Sequence, residues 1–166
     1  SAGADGKALI LGIAIAYEIC GQLVDHVSLR GSGWDYPILH SMATSLGAGK
    51  VLGLSREQLE QALSLAIVPN VCLEQTRVGE LSHWKGCAGP NGSRSGLFAA
   101  ILAKEGVTGP AEPLEGRAGF MKQLSGPFEL GNLGGNGTRF KIEGTFFKYL
   151  PVQYSLQLPV LVALEL

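Results

Sequence analysis

The sequence predicts a mainly helical protein, in which a helical domain is followed by the start of a smaller α/β unit. In the first 105 residues, apolar side chains recur at the spacing of helices packed on one face. A cluster of glycines then begins at residue 131, and residues 138–151, "TRFKIEGTFFKYLP", alternate in the manner of a strand. We therefore divide the chain into a helical domain, 1–130, and the beginning of an α/β unit, 131–166.

The first predicted helix covers residues 6–23. Its segment 8–20, "ALILGIAIAYEIC", is apolar on nearly all sides, which predicts central burial. The segment is shorter than the roughly 20 apolar residues that cross a bilayer. Only Lys7 precedes it as a flanking positive charge, and no small-x-small cleavage site follows. We expect a buried helix with no membrane partner.

A loop, 30–37, leads to a second helix predicted at 38–53, whose small residues favour close helix packing. The third helix is predicted at 55–68, since Ser55 and Gln58 fit a capping box.

The connection 70–90 is predicted to be irregular. A glycine-rich turn at 86–92 then opens a fourth helix, 91–105, which Gly106 ends.

Composition predicts a partner for the surface and excludes one class of function. Of the 166 residues, 46% are hydrophobic and 16% are charged, against about 25% charged in typical soluble domains. We therefore expect another subunit to cover part of the surface. The net charge of −1 excludes a generally basic nucleic-acid binder.

The cysteines, Cys20, Cys72 and Cys87, are odd in number and show no CxxC or CxH spacing. They predict neither a disulfide framework nor a zinc site. We expect reduced, mostly buried thiols in a cytoplasmic protein.

The stretch "HWKGCAGPNGSRSG", 83–96, places Lys85 just before the glycine-rich turn. A phosphate loop of the Walker type is disfavoured, because its lysine follows the glycines. A helix N-terminus offers unpaired N–H groups and a positive dipole end, which with a lysine suit a carboxylate. The alternative is an ordinary helix entrance with a solvated charge, and the pattern alone leaves both open.

Asp35 and Tyr36 form a second candidate, in the loop "RGSGWDYP". Asp35 alternatively caps the helix that follows, and Tyr36 alternatively serves only in packing. His26, His40 and His83 stand alone without metal-ligand spacing, so each is more often structural, although each can titrate near neutrality.

Lys148 in "FFKYLPVQYS" is a third candidate. On a strand it faces away from Phe147 and Tyr149, and it either extends outward into solvent or points into a cleft between the two units. Ser-His-Asp and Cys-His triads have no recognisable signature in the sequence.

These motifs occur in a specific order: the W-D loop of "VSLRGSGWD", then G-K-x-L-G-L, Q-T-R-x-G, W-K-G, E-G-x-x-G-F and K-x-x-P. With this order the chain resembles the MmgE/PrpD family from about residue 6 to 160. That family contains 2-methylcitrate dehydratase, cis-aconitate decarboxylase and iminodisuccinate epimerase.

The resemblance implies a mostly helical domain and a smaller α/β lid, with the active site between them, and commonly a dimer. It implies small di- or tricarboxylate substrates, processed without a metal or organic cofactor. The family's active-site lysines in W-K-G and K-x-x-P fall on Lys85 and Lys148. This favours a carboxylate-binding role for Lys85.

We take Lys85, Lys148, Tyr36 and Asp35 as candidate catalytic residues. The candidate substrate-binding residues are Arg77, His40, His83 and Ser155.

Two positions depart from the family pattern. Many members have histidine directly after the W-D pair, where this chain has Tyr36. After K-x-x-P-x-x-Y, members often have histidine or a similar polar group, where this chain has Ser155. Members are also longer, so we expect a fragment, a split subunit that needs a partner chain, or a degenerate relative.

Three functions follow. The first is a lyase that dehydrates a tricarboxylate such as 2-methylcitrate, by removing a proton beside a carboxylate held by lysines. The second is an epimerase or isomerase of an amino-dicarboxylate. The third is a non-catalytic oligomerising domain.

Overall fold

The computed structural model describes residues 3–29, 31–135 and 137–166. Within these ranges it has five α-helices and no β-strand, which confirms a mainly helical protein. The helices are α1 (Gly6–His26), α2 (Pro37–Val51), α3 (Arg56–Ile67), α4 (Trp84–Lys104) and α5 (Gln157–Glu165). Short 3₁₀ segments lie at Glu74–Arg77, Lys141–Gly144 and Tyr154–Leu156, and a single π-helical turn at Met121–Ser125.

Helix α2 is the centre of the bundle and packs against α1, α3 and α4. Its apolar side chains, including Ile38 and Met42, are buried in the main core. Close packing depends on small residues, because a Cβ at Gly96 of α4 would lie 2.9 Å from the backbone nitrogen of Ser45. Ser41 donates a 2.9 Å hydrogen bond to the carbonyl of Ala66 and so ties α2 to α3.

Helix α3 begins as predicted. The Ser55 hydroxyl accepts from the backbone N–H of Gln58 at 3.2 Å, and the Gln58 side chain accepts from the backbone N–H of Ser55 at 3.0 Å. This reciprocal capping box satisfies two N–H groups that the helix itself leaves unpaired. Every partner is local in sequence, which is why the sequence alone predicted it.

The prediction that segment 8–20 is centrally buried was wrong. Leu9, Ile10 and Tyr17 are 56%, 69% and 45% exposed. Helix α1 lies at the edge of the bundle and contacts α2 and the 3₁₀ segment 141–144, so the described residues leave its remaining side uncovered. The helix has 21 residues, and an 18-residue window within it has a mean hydropathy of 1.6. By length and composition alone it is able to cross a membrane, a criterion that core helices of soluble proteins and signal sequences also meet.

Helix α4 begins at Trp84, so the predicted irregular connection and glycine-rich turn were wrong for residues 84–90. The helix continues through Pro90, although an internal proline removes one backbone hydrogen bond. A Cβ at Gly92 would collide with the carbonyl of Pro37. Contact with α2 along this glycine face therefore outweighs the poor helix propensity of the segment.

The strand predicted at 138–151 is also absent: residues 141–144 form a 3₁₀ turn, and Gly135 and Thr138 form only an isolated bridge. Alternation produces a strand only where another strand supplies hydrogen bonds. Here the backbone N–H of Lys141 instead donates to a side chain of α1. The described residues thus show no strand of the predicted α/β unit, and helix α5, which was not predicted, follows.

Candidate active site

The W-D loop is fastened to the segment that carries Arg77. The backbone N–H of Asp35 donates to the carbonyl of Cys72 at 2.7 Å, and that of Glu74 donates to Gly33 at 2.9 Å. This short antiparallel bridge, with Trp34 opposite Leu73, places the 3₁₀ turn Glu74–Arg77 beside the start of α2.

Asp35 and Arg77 consequently form a salt bridge, with 2.8 Å between Arg77 Nε and Asp35 Oδ1. The same oxygen accepts from the backbone N–H of Tyr36 at 2.9 Å. Asp35 is only 4% exposed, and its Oδ2 is buried with no hydrogen-bond partner among the described residues. The bond to Asp35 raises the pKa of the Arg77 guanidinium, so Arg77 is a permanent cation.

Tyr36 lies between Arg77 and His40. The Cζ atom of Arg77 is 4.3 Å from the centre of the Tyr36 ring, a cation–π contact. On its other side the ring meets His40 edge to face, with 5.3 Å between centroids. Burial lowers the pKa of His40, although the backbone of Gly89 partly opposes this shift. Burial therefore favours the neutral form of His40.

A cleft of about 1080 Å³ opens above Tyr36 and Arg77. Tyr36, Arg77 and Lys85 form one wall, and residues 148–154 form the other. Its lining contains three cations, Arg77, Lys85 and Lys148, and no aspartate or glutamate among the described residues. A volume of this order holds a small organic ligand, and the charge favours an anionic one.

Lys85 lies in the first turn of α4, and its side chain is exposed at the cleft. Its backbone N–H donates to Ser82 at 3.2 Å, and that of Gly86 donates to His83 at 3.1 Å. These N–H groups are therefore already used within the chain. The predicted supply of N–H groups from a turn at 86–92 is not observed, because that stretch is helical.

The other candidates lie outside the cleft wall. His40 lies beneath Tyr36 and lines a separate, mainly apolar groove of about 500 Å³ between α1 and α2. His83 is the exposed residue before α4 and makes no capping hydrogen bond through its side chain. The Ser155 hydroxyl donates to the side chain of Gln153.

Sequence reasoning missed part of the second wall. Tyr149, Gln153 and Tyr154 line the cleft beside Lys148. Tyr154 follows the K-x-x-P landmark at a fixed distance, so that landmark could have indicated it. Among the described residues, no group of three or more His, Cys, Asp or Glu side chains is arranged to hold a metal ion.

The three cysteines are free thiols, but they are less buried than predicted. Cys20 and Cys72 are half-buried, and burial raises the pKa of both thiols. Cys87 is exposed and lies in the early turn of α4, which the sequence predicted to be a loop.

Comparison with known proteins agrees with the fold. The MmgE/PrpD N-terminal domain model matches residues 1–132. The mitochondrial 2-methylcitrate dehydratase of Yarrowia lipolytica is 30% identical over 157 residues, covering 90% of this chain and 28% of that protein. The 2-methylcitrate dehydratase of Escherichia coli O157:H7 is 32% identical over 107 residues, covering 62% of this chain and 22% of that protein.

The chain thus spans about a quarter of the length of these two relatives. Because the family model matches most of the chain, and the bundle it forms is helical as the landmarks predicted, the chain belongs to the MmgE/PrpD family.

Proposed function

We propose that the cleft binds a small di- or tricarboxylate, and that the chain is part of a lyase that dehydrates 2-methylcitrate or a close analogue. The observation that carries this proposal is the charge of the cleft. A chain with a net charge of −1 lines this one cavity with three cations and no carboxylate among its described residues. The names of the two relatives favour the same chemistry.

The three cations have different roles in this proposal. Arg77 is held by Asp35 through its Nε atom, so it supplies a fixed charge and cannot serve as a proton donor or acceptor. Lys85 and Lys148 reach the cleft from opposite walls. They bind substrate carboxylates and stabilise the negative charge that develops beside a carboxylate as its neighbouring C–H bond breaks.

Dehydration requires two bonds to break. The C–H electrons beside the carboxylate form the new C=C bond, and the C–O bond breaks as the hydroxyl leaves with a proton as water. We assign the two proton transfers to the group formed by Tyr36, Lys85 and Lys148, whose side chains line the cleft and carry exchangeable protons. Asp35 is buried behind Arg77, so its part is to hold that cation.

Incubation of the purified chain with 2-methylcitrate tests the proposal, because the product has a C=C bond conjugated to a carboxylate and absorbs in the ultraviolet. We expect absorbance to rise with the chain and to rise more slowly with the Lys85→Met variant. Absence of a rise, with no citrate binding by calorimetry, would refute the proposal.

An epimerase begins with the same proton removal but returns the proton without loss of water. Incubation of an amino-dicarboxylate in deuterated water separates the two, since epimerisation introduces deuterium without ultraviolet absorbance. The non-catalytic alternative has one observation in its favour, the exposed apolar side of α1. It predicts neither signal.

A further inference from the structure

A buried carboxylate on α1 holds the chain segment that leads to Lys148. Glu18 is 4% exposed. Its Oε2 accepts from the backbone N–H of Lys141 at 2.7 Å, and its Oε1 accepts from the backbone N–H of Gly134 at 2.9 Å. These two bonds join residues more than a hundred positions apart, and charge-assisted hydrogen bonds of this kind are roughly twice as strong as neutral ones.

Gln22, one turn further along α1, extends the same attachment. Its side-chain nitrogen donates to the carbonyl of Asn132 at 2.8 Å, and its side-chain oxygen accepts from the backbone N–H of Gly131 at 3.1 Å. Between the two polar residues, Gly21 allows the chain to approach closely. A Cβ at Gly21 would lie 2.8 Å from the Cβ of Lys141, which is too near for both to keep their places.

Beyond this attachment, the chain has no comparable hold on the helical bundle. The hydrogen bonds of residues 145–166 stay within residues 141–166 wherever the structure describes both partners. Gln157, for example, bonds only to the backbone of Leu150 and Val152. Lys148, seven residues after Lys141, therefore depends on the attachment to α1 for its position opposite Lys85.

We propose that Glu18 is a positioning residue, whose carboxylate anchors residues 131–141 to α1 and thereby holds Lys148 across the cleft from Lys85. The proposal rests on the carboxylate cleft described above for its functional meaning. The geometry of the anchor, however, is independent of the substrate. Glu18 touches no cleft residue and acts only through the segment that it holds.

A ligand-free measurement tests the anchor itself. An amine-reactive cross-linker joins Lys85 to Lys148 when both face the cleft, and mass spectrometry gives the yield. Hydrogen exchange reports the amides of Gly134 and Lys141 directly. In the Glu18→Gln variant an NH₂ group faces one of these N–H donors, so we expect faster exchange at one or both and several-fold less cross-link.

A second variant guards against simple loss of folding. Gly21→Ala improves the helix propensity of α1 while its methyl group pushes Lys141 away. We expect it to reduce the cross-link while the thermal midpoint of the bundle is kept. The matched control is Glu143→Gln, since Glu143 also accepts a backbone N–H, from Phe140 at 2.9 Å, but entirely within the segment. It should leave the cross-link unchanged.

Citrate affinity, measured by calorimetry, then links the anchor to the cleft. We expect Glu18→Gln to weaken citrate binding by the same factor as Lys148→Met, about tenfold for one charge-assisted hydrogen bond, with no further loss in the double variant. Additive losses, or an unchanged cross-link in both Glu18→Gln and Gly21→Ala, would overturn the proposal. If the wild-type chain binds no citrate but the cross-link falls as expected, the anchor stands and the proposed function fails.

Discussion

Replacing Lys85 with methionine removes one cation from the cleft wall at little cost to folding. The Lys85 side chain is exposed and makes no hydrogen bond or salt bridge with any described residue. Methionine keeps most of its length and favours helix about equally. We therefore expect the free energy of unfolding to change by less than about 0.5 kcal/mol, the range of ordinary surface substitutions.

The expected loss of affinity follows from the exposure of the site. Opposite charges 4 Å apart attract by about 1 kcal/mol in water and about 4 kcal/mol near a protein surface. A hydrogen bond to a charged group contributes about 1.5–3 kcal/mol. Because Lys85 lies at an open wall of the cleft, we take the lower end, about 1.5 kcal/mol, which is close to a tenfold weaker citrate affinity.

Calorimetric titration with citrate measures the affinity, and urea denaturation without citrate measures stability. Lys104→Met is the matched control, because Lys104 is exposed at the opposite end of α4. It removes the same charge from the chain without touching the cleft. The reasoning is refuted if Lys85→Met leaves citrate affinity unchanged, or if both lysine variants weaken binding equally.

Four further outcomes are expected. Asp35→Asn removes the charged partner of Arg77, and Asp35 is only 4% exposed. The free energy of unfolding in urea should therefore fall by about 2–3 kcal/mol, less than the 3–5 kcal/mol of a fully buried pair; an unchanged urea midpoint would contradict the pairing. Although burial opposes ionisation of Glu18, backbone hydrogen bonds from Lys141 and Gly134 lower the pKa of its carboxyl from 4.5. The ionised carboxylate thus stabilises the fold above pH 4.5, and this stabilisation is lost as the pH falls through the lowered pKa. In acid denaturation the wild type should therefore lose more stability than Glu18→Gln. Gly96→Ala places a Cβ 2.9 Å from the backbone nitrogen of Ser45, so thermal melting should show that the variant is destabilised by about 1–3 kcal/mol. A stabilised variant would mean that α2 and α4 are further apart than the structure shows. The exposed apolar side of α1 should bind a second copy of the chain, giving a dimer in light scattering that Ile10→Lys dissociates; a monomeric wild type would exclude this.

The sequence alone determined what depends on neighbours along the chain. The capping box of Ser55 and Gln58 uses partners three residues apart, and the spacing of apolar and small residues placed α2 and α3 to within a few residues. The ordered landmarks also identified the family, together with Lys85 and Lys148 as candidates.

Tertiary structure decided what depends on distant partners. Local propensity placed the start of the fourth helix at residue 91, after Pro90, but contact of Gly92 with α2 keeps the preceding residues, 84–90, helical as well. The alternation at 138–151 predicted a strand, yet the N–H of Lys141 finds its acceptor 123 residues away on Glu18. The Asp35–Arg77 pair likewise joins residues 42 apart. The packing of whole helices determines which apolar face is covered and which polar group finds a partner. The physical reason is that burial is a property of the assembled bundle and not of any single segment.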